Sequence, residues 1–191
     1  MELQHLNVKI FAEAPADFER EKFTPIFQRW IQEQSIPGEL LIDVADYLHV
    51  AGGPGIVLVG HEADYSMDET GGRLGLRYNR KAKLDGDNRF RFSQALKAAL
   101  QACLKLESEN LLAGKLRFRR DEIELAVNDR ALAPNLPETR TKHESELKAF
   151  FDEALGPKNY SMMFQEDPRE RFGCRVTTLP FDFAVLIKKL S

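Results

Sequence analysis

The sequence predicts an α+β fold: a mainly antiparallel sheet built from hairpins and a three-stranded meander, with three to four helices packed on it. Segments of apolar–polar alternation outnumber segments of helical period. The connectors between successive strand-like segments are rich in turn residues and too short for a crossover helix. No run of strand–helix–strand units appears, as a parallel sheet would require.

Each element has its own signal. Residues 5–12 (HLNVKIFA) put Leu6, Val8 and Ile10 at alternate positions, as in a half-buried strand. The period then changes, with Phe23, Phe27, Trp30 and Ile31 at helical spacing, Thr24-Pro25 as a helix start and Ser35–Gly38 as its end. LLIDVADYLHV (40–50), IVLVGHEADY (56–65) and RLGLRYNRK (73–81) read as three strands, joined through Gly52-Gly53-Pro54-Gly55 and Glu69–Gly72. From Asp87 a helix is expected, with Phe92, Leu96, Ala99, Leu100 and Cys103 as its apolar stripe. KLRFRRDEIELAV (115–127) reads as a hairpin around Arg120-Asp121. A third helix at 140–155 carries Leu147, Phe150, Phe151 and Leu155 and stops at Gly156-Pro157. A second hairpin, YSMMFQED (160–167) and FGCRVTTL (172–179), turns at PRER, and Pro180 opens a short last helix.

Length and composition bound the function. A chain of 191 residues is expected to form one α+β domain over 1–191, with a possible subdivision near 110–115. At this size about 70% of the unfolded surface becomes buried, so the fold needs no staples. Lys and Arg number 27 against 30 Asp and Glu, a net charge of −3, and that balance disfavours nucleic acid as a partner. The α-β-β-β-α order from about 19 to 110 is similar to that of double-stranded-RNA-binding domains in element order alone. The lysine cluster which that family places at the start of its last helix is missing here.

The first residues lack a charged region followed by an apolar one, and the longest apolar runs are about five residues, far short of the ~20 that span a bilayer. A cytoplasmic location without membrane contact is expected. Cys103 and Cys174 both fall in apolar periodic segments, as buried reduced thiols do, and with no C-x-x-C motif they form no zinc site. No cofactor motif appears, and Gly52–Gly55 sits between two strands rather than before a helix, so it reads as a hairpin turn and not as a phosphate cradle.

Candidate chemistry lies on the meander. Pairing Val50 with Ile56 puts Val44, Leu48 and Val50 on the core face with Ile56 and Leu58. The opposite face then carries Asp43, Tyr47 and His49 beside Val57, Val59, His61 and Tyr65. In that register Asp43 and Tyr47 are diagonal neighbours of His61, ~7 Å away, so a carboxylate could orient an imidazole base. His49 would stand more than about 12 Å from His61, too far to share a metal ion, and no metal site is expected. Asp46, Glu62 and Asp64 fall on the nominally apolar face, at the end of its buried part.

Arg77, Arg80 and Lys81 have no acid nearby in sequence and run on to RFRF (89–92), a mixture of cations and aromatics that suits an anionic ligand. Arg117 and Arg119 would face Glu124 and Glu122 across the 115–127 hairpin. DPRER (167–171) is a charged turn whose charges can satisfy one another. No nucleophile elbow or Cys–His motif decides for or against an enzyme. The sequence therefore favours a non-catalytic binding or assembly module, docking a protein partner or a second copy of itself. The alternative is a small enzyme or binding protein for an anionic small molecule. Its catalytic candidates are His61, Asp43 and Tyr47, and its ligand-binding candidates are Arg77, Arg80 and Tyr65.

Overall fold

A computed structural model describes residues 2–191. Among the described residues eight strands form one antiparallel sheet: β1 (Leu6–Glu13), β2 (Leu41–Tyr47), β3 (Gly55–Gly60), β4 (Ala63–Asp68), β5 (Gly75–Arg80), β6 (Arg117–Val127), β7 (Tyr160–Phe164) and β8 (Gly173–Thr178). Their spatial order is β2-β3-β4-β5-β1-β6-β8-β7, so the first strand sits in the middle and closes the gap between the meander and the C-terminal strands. Strands from both sides of residues 110–115 share this sheet.

Four helices cover one face: α1 (Phe23–Glu33), α2 (Asn88–Glu107), α3 (Pro137–Leu155) and α4 (Phe183–Lys189). The longest, α2, is capped by Asp87, whose carboxylate accepts from the Phe90 amide at 2.7 Å, and it packs across β1, β5 and β6. Between helices and sheet lie Val8, Ile10, Ile56, Leu58, Leu76, Ile123, Leu125 and Val176, all at most 1% exposed. The Gln34 backbone ends α1 in the left-handed region, and its side chain exchanges hydrogen bonds with the Leu41 backbone at 3.0 Å. Asp182 caps α4, the short last helix expected from the sequence.

Three sequence expectations are corrected. The segment 56–65 is not one strand but a hairpin, β3 and β4, turning at His61-Glu62. A Cβ on Gly60 would lie 2.4 Å from the Ala63 carbonyl oxygen, and the Glu39 carboxylate accepts from the Glu62 amide at 2.7 Å. The meander therefore has four strands, and its element order departs from that of the RNA-binding domains. The segment 115–127 is one strand, not a hairpin. Ile10 pairs with Ile123 and Ala12 with Phe118, so residues 119–122 bulge opposite Phe11, and the turn signal at Arg120-Asp121 marks that bulge. The β2–β3 register is shifted by four residues, with Tyr47 opposite Gly55 rather than Val50 opposite Ile56. An even shift keeps each side chain on its expected face, so Leu58 still faces the helices and Asp43 does not.

Among the described residues, no helix is long and apolar enough to cross a membrane. Both cysteines are buried and unpaired, and burial pushes the Cys174 thiol up to about 12.

Candidate anion-binding cavity

The register fixes what the helix-free face presents. One row across the sheet runs Ala45, Val57, Ser66, Arg77, Lys9, Glu124, Arg175, Met163. The adjacent row places Asn79 beside Asn7 and Asn7 beside Ala126. Charged residues thus line the middle of this face, with Arg77 and Lys9 side by side and Glu124 between Lys9 and Arg175. The β4–β5 connector (69–74) rises on one side of them and the β7–β8 loop (165–172) on the other. Together they enclose a cavity of about 620 Å³ with Lys9, Arg77, Glu124 and Arg175 on its floor and Arg73 and Arg171 on its rims.

Most of these charges already have partners. The Lys9 ammonium, 2% exposed, lies 2.6 Å from Asp68 Oδ1 and donates to the carbonyls of Arg73 at 2.7 Å and Thr70 at 3.2 Å. Burial lowers its pKa, while Asp68 opposes the shift. Three acceptors use all three ammonium hydrogens, so Lys9 is a tether for the 69–74 rim rather than a free base. Asp68 also takes the Thr70 amide and hydroxyl and stands 3.0 Å from Arg77 Nη1. Arg73 bonds Glu122 through both Nη atoms at 2.7 Å and lies over the Phe11 ring, with Cζ 3.7 Å from its centroid. That bond holds the Glu122 carboxyl below the usual range. Arg175 reaches Glu124 at 3.1 Å.

Arg171 differs. Its half-buried guanidinium makes no hydrogen bond or ion pair with the described residues. Burial first, then the neighbouring Arg77 and Arg130, lower its pKa, with Glu170 and Asp68 opposing. Its loop is fixed independently: Arg169 pairs with Asp167 at 2.7 Å, and the Asn135 amide donates to the Asp167 carbonyl at 2.8 Å. At the floor, the buried side-chain oxygen of Asn7 has no partner among the described residues, and neither has that of its neighbour Asn79, which lies outside the lining.

The residues singled out from the sequence are dispersed. Arg77 is in the cavity. Asp43 and Tyr47 share its face but stand on the outer strand β2, three strands and ~14 Å away. The Asp43 carboxylate accepts from the Val44 amide at 2.8 Å, and Tyr47 stacks on His49 with ring centroids 6.4 Å apart. His61, 67% exposed, sits at the β3–β4 turn beside Glu62, six residues of strand (~20 Å) from the residue opposite Tyr47. Asp43, Tyr47 and His61 therefore do not converge, and Arg77 is not with them.

Arg80 and Tyr65 belong to the helix face. Arg80 donates to the Ala82 carbonyl at 2.9 Å and pairs with Glu62, while Lys81 pairs with Asp64 at 2.6 Å. Tyr65, 3% exposed, meets Tyr78 edge-on at 5.3 Å. Its position differs from the expected one because the turn at His61-Glu62 reverses the chain. Arg117 and Arg119 do not face Glu124 and Glu122 as hairpin partners: Arg119 takes Asp121 at 2.9 Å, and Glu122 goes to Arg73. Among the described residues no group of three or more His, Cys, Asp or Glu side chains is placed to hold a metal ion.

Sequence reasoning missed Lys9, Glu124 and Arg175, whose alternation looks like that of any solvated face. It noticed the charged 167–171 turn but could not bring it over Arg77, because the two meet only through the central position of β1. No protein-family model matches the sequence, and no curated protein is significantly similar to it.

Proposed function

We propose that this protein binds a small anionic molecule in the cavity on its helix-free sheet face, with Arg171 and Arg77 as the residues that meet the anion. The observation that carries this reading is Arg171. A guanidinium has five donors and is always charged, and half-burying it near two further arginines with no acid paired to it leaves a positive site that an anion would stabilise. The cavity volume lies within the ~300–1,000 Å³ typical of small-molecule sites, and its polar groups converge from four strands and two loops. Binding is favoured over catalysis because the lining holds no histidine, and its one cysteine, Cys174, keeps its proton near neutral pH. The test is thermal melting in sodium phosphate, citrate and chloride at matched ionic strength. Multivalent anions should raise the melting temperature of the wild type and not of Arg171→Gln. Equal response to all three salts would remove the reading.

A second reading, an assembly module, draws on one observation. The edge strand β2 and its flanks expose Leu40 (59%), Ile42 (53%), Tyr47 (43%) and Val50 (43%). Sedimentation of the wild type against Ile42→Glu tests it: an assembly that the substitution dissolves supports it, and a monomer throughout removes it.

A further inference from the structure

The cavity lining carries five cations, Lys9, Arg73, Arg77, Arg171 and Arg175, against three acids, Glu124, Asp167 and Glu170. Three of the cations are committed: Lys9 to Asp68 and two carbonyls, Arg73 to Glu122, Arg175 to Glu124 and Glu122. One of the acids, Asp167, is committed to Arg169, which does not line the cavity. Arg171 and Arg77 are less committed. Among the described residues Arg171 retains all of its donors, and Arg77 keeps Nη2, whose nearest acid oxygen, on Glu124, is 3.7 Å away. Arg130 adds a third positive charge within electrostatic reach of Arg171.

We infer that the ligand is a small phosphate monoester bound as its dianion, an inference that rests on the anion-binding reading above. A carboxylate brings one negative charge and two oxygens. A phosphate monoester brings nearly two charges and three terminal oxygens, enough for Arg171 and Arg77 to bond it together. The remaining volume and the apolar surface of Met163, 72% exposed, accommodate the body of the ester beyond its phosphate. The groups facing Arg171 and Arg77 are Lys9, Asp68, Glu124, Glu170, Asp167, Arg130 and Arg175. None is a histidine, so between pH 5 and 8 the change in binding follows the ligand's own second ionisation near pH 6.

The probes are phenyl phosphate, methyl phenyl phosphate (a permanent monoanion of nearly the same shape) and inorganic phosphate, titrated calorimetrically into the full chain. At pH 8 phenyl phosphate should bind at least about tenfold more tightly than either of the others, and its advantage over the diester should vanish at pH 5. Arg171→Gln should remove that advantage, with Arg171→Lys as the second variant should the first fail to fold. Equal affinity for phenyl phosphate and the diester, with both weakened by Arg171→Gln, would overturn the phosphate inference and leave the anion reading in place. Inorganic phosphate binding as tightly as phenyl phosphate would overturn the ester. Failure of all three probes to bind, or binding indifferent to Arg171, would overturn both.

Discussion

The buried pair Lys9–Asp68 holds one rim of the cavity to the centre of the sheet, and its two members should not be equivalent on removal. Both side chains are at most 2% exposed and 2.6 Å apart. Lys9→Met keeps the aliphatic bulk but leaves the Thr70 and Arg73 carbonyls without their donor. Asp68 would still have Arg77 at 3.0 Å and the Thr70 amide and hydroxyl at 3.2 and 2.8 Å, so its charge is not stranded. The cost should fall at the low end of the 3–5 kcal/mol for a broken buried pair, about 3 kcal/mol. Asp68→Asn instead leaves two cations facing a neutral amide, and should cost about 5 kcal/mol. With a urea slope of roughly 2 kcal/mol per molar, the midpoints should fall by about 1.5 M and 2.5 M. The double variant should be no less stable than Asp68→Asn, giving a coupling energy of about 3 kcal/mol in the cycle. Urea unfolding followed by circular dichroism measures all four proteins. A cost below about 1 kcal/mol for Asp68→Asn, or additive single costs, would refute the account of Asp68 as the shared anion of Lys9 and Arg77.

Three further outcomes are expected. Burial raises the phenol pKa values of Tyr65 and Tyr78, so the folded state keeps protons that the unfolded chain loses near pH 10. Stability is therefore full below pH 10 and should fall above it by up to about 1.4 kcal/mol per pH unit for each tyrosine, and Tyr65→Phe should remove one tyrosine's share in denaturant titrations at pH 9–11. Gly173→Ala would put a Cβ 2.4 Å from the Leu125 carbonyl oxygen and 2.9 Å from the Ala126 Cα. Neither backbone atom can turn aside, so unfolding experiments should show a loss of roughly 2–3 kcal/mol. His61→Ala, at a side chain 67% exposed, should change stability by less than about 0.5 kcal/mol and anion affinity less than twofold, by the same titrations.

What the sequence made legible follows from the range of the interactions involved. The alternation of Leu6, Val8 and Ile10, the Asp87 cap and the Gly156 stop are local features, and each element they mark is present. The turn at His61-Glu62 was hidden because its stabilising acceptor, Glu39, is more than 20 residues away and because Gly60 matters for the approach of Ala63 rather than for a positive φ. The Arg120-Asp121 signal was misread because a bulge and a turn both break alternation, and only the pairing with β1 distinguishes them. The two errors cancelled in the strand count but not in the faces: the missed turn moved Tyr65 to the helix side. The cavity was legible only as fragments, Arg77 and the 167–171 turn, since two sheet neighbours, β1 and β6, lie between β5 and β8.

The division of labour among the cavity's cations also separates function from framework. Lys9, Arg73, Arg77 and Arg175 each touch an acid within 3.1 Å, so their presence follows from the folding of a sheet that carries Asp68, Glu122 and Glu124 on one face. Arg171 is left over, since it holds no acid among the described residues and faces the like charges of Arg77 and Arg130. A residue kept for the framework destabilises the protein when removed, whereas one kept for a ligand often leaves it equally stable or more so. Arg171→Gln should therefore melt at or above the wild-type temperature in chloride and below it in saturating phenyl phosphate. A lower melting point in chloride would return Arg171 to the framework and remove the observation that carries the anion-binding reading.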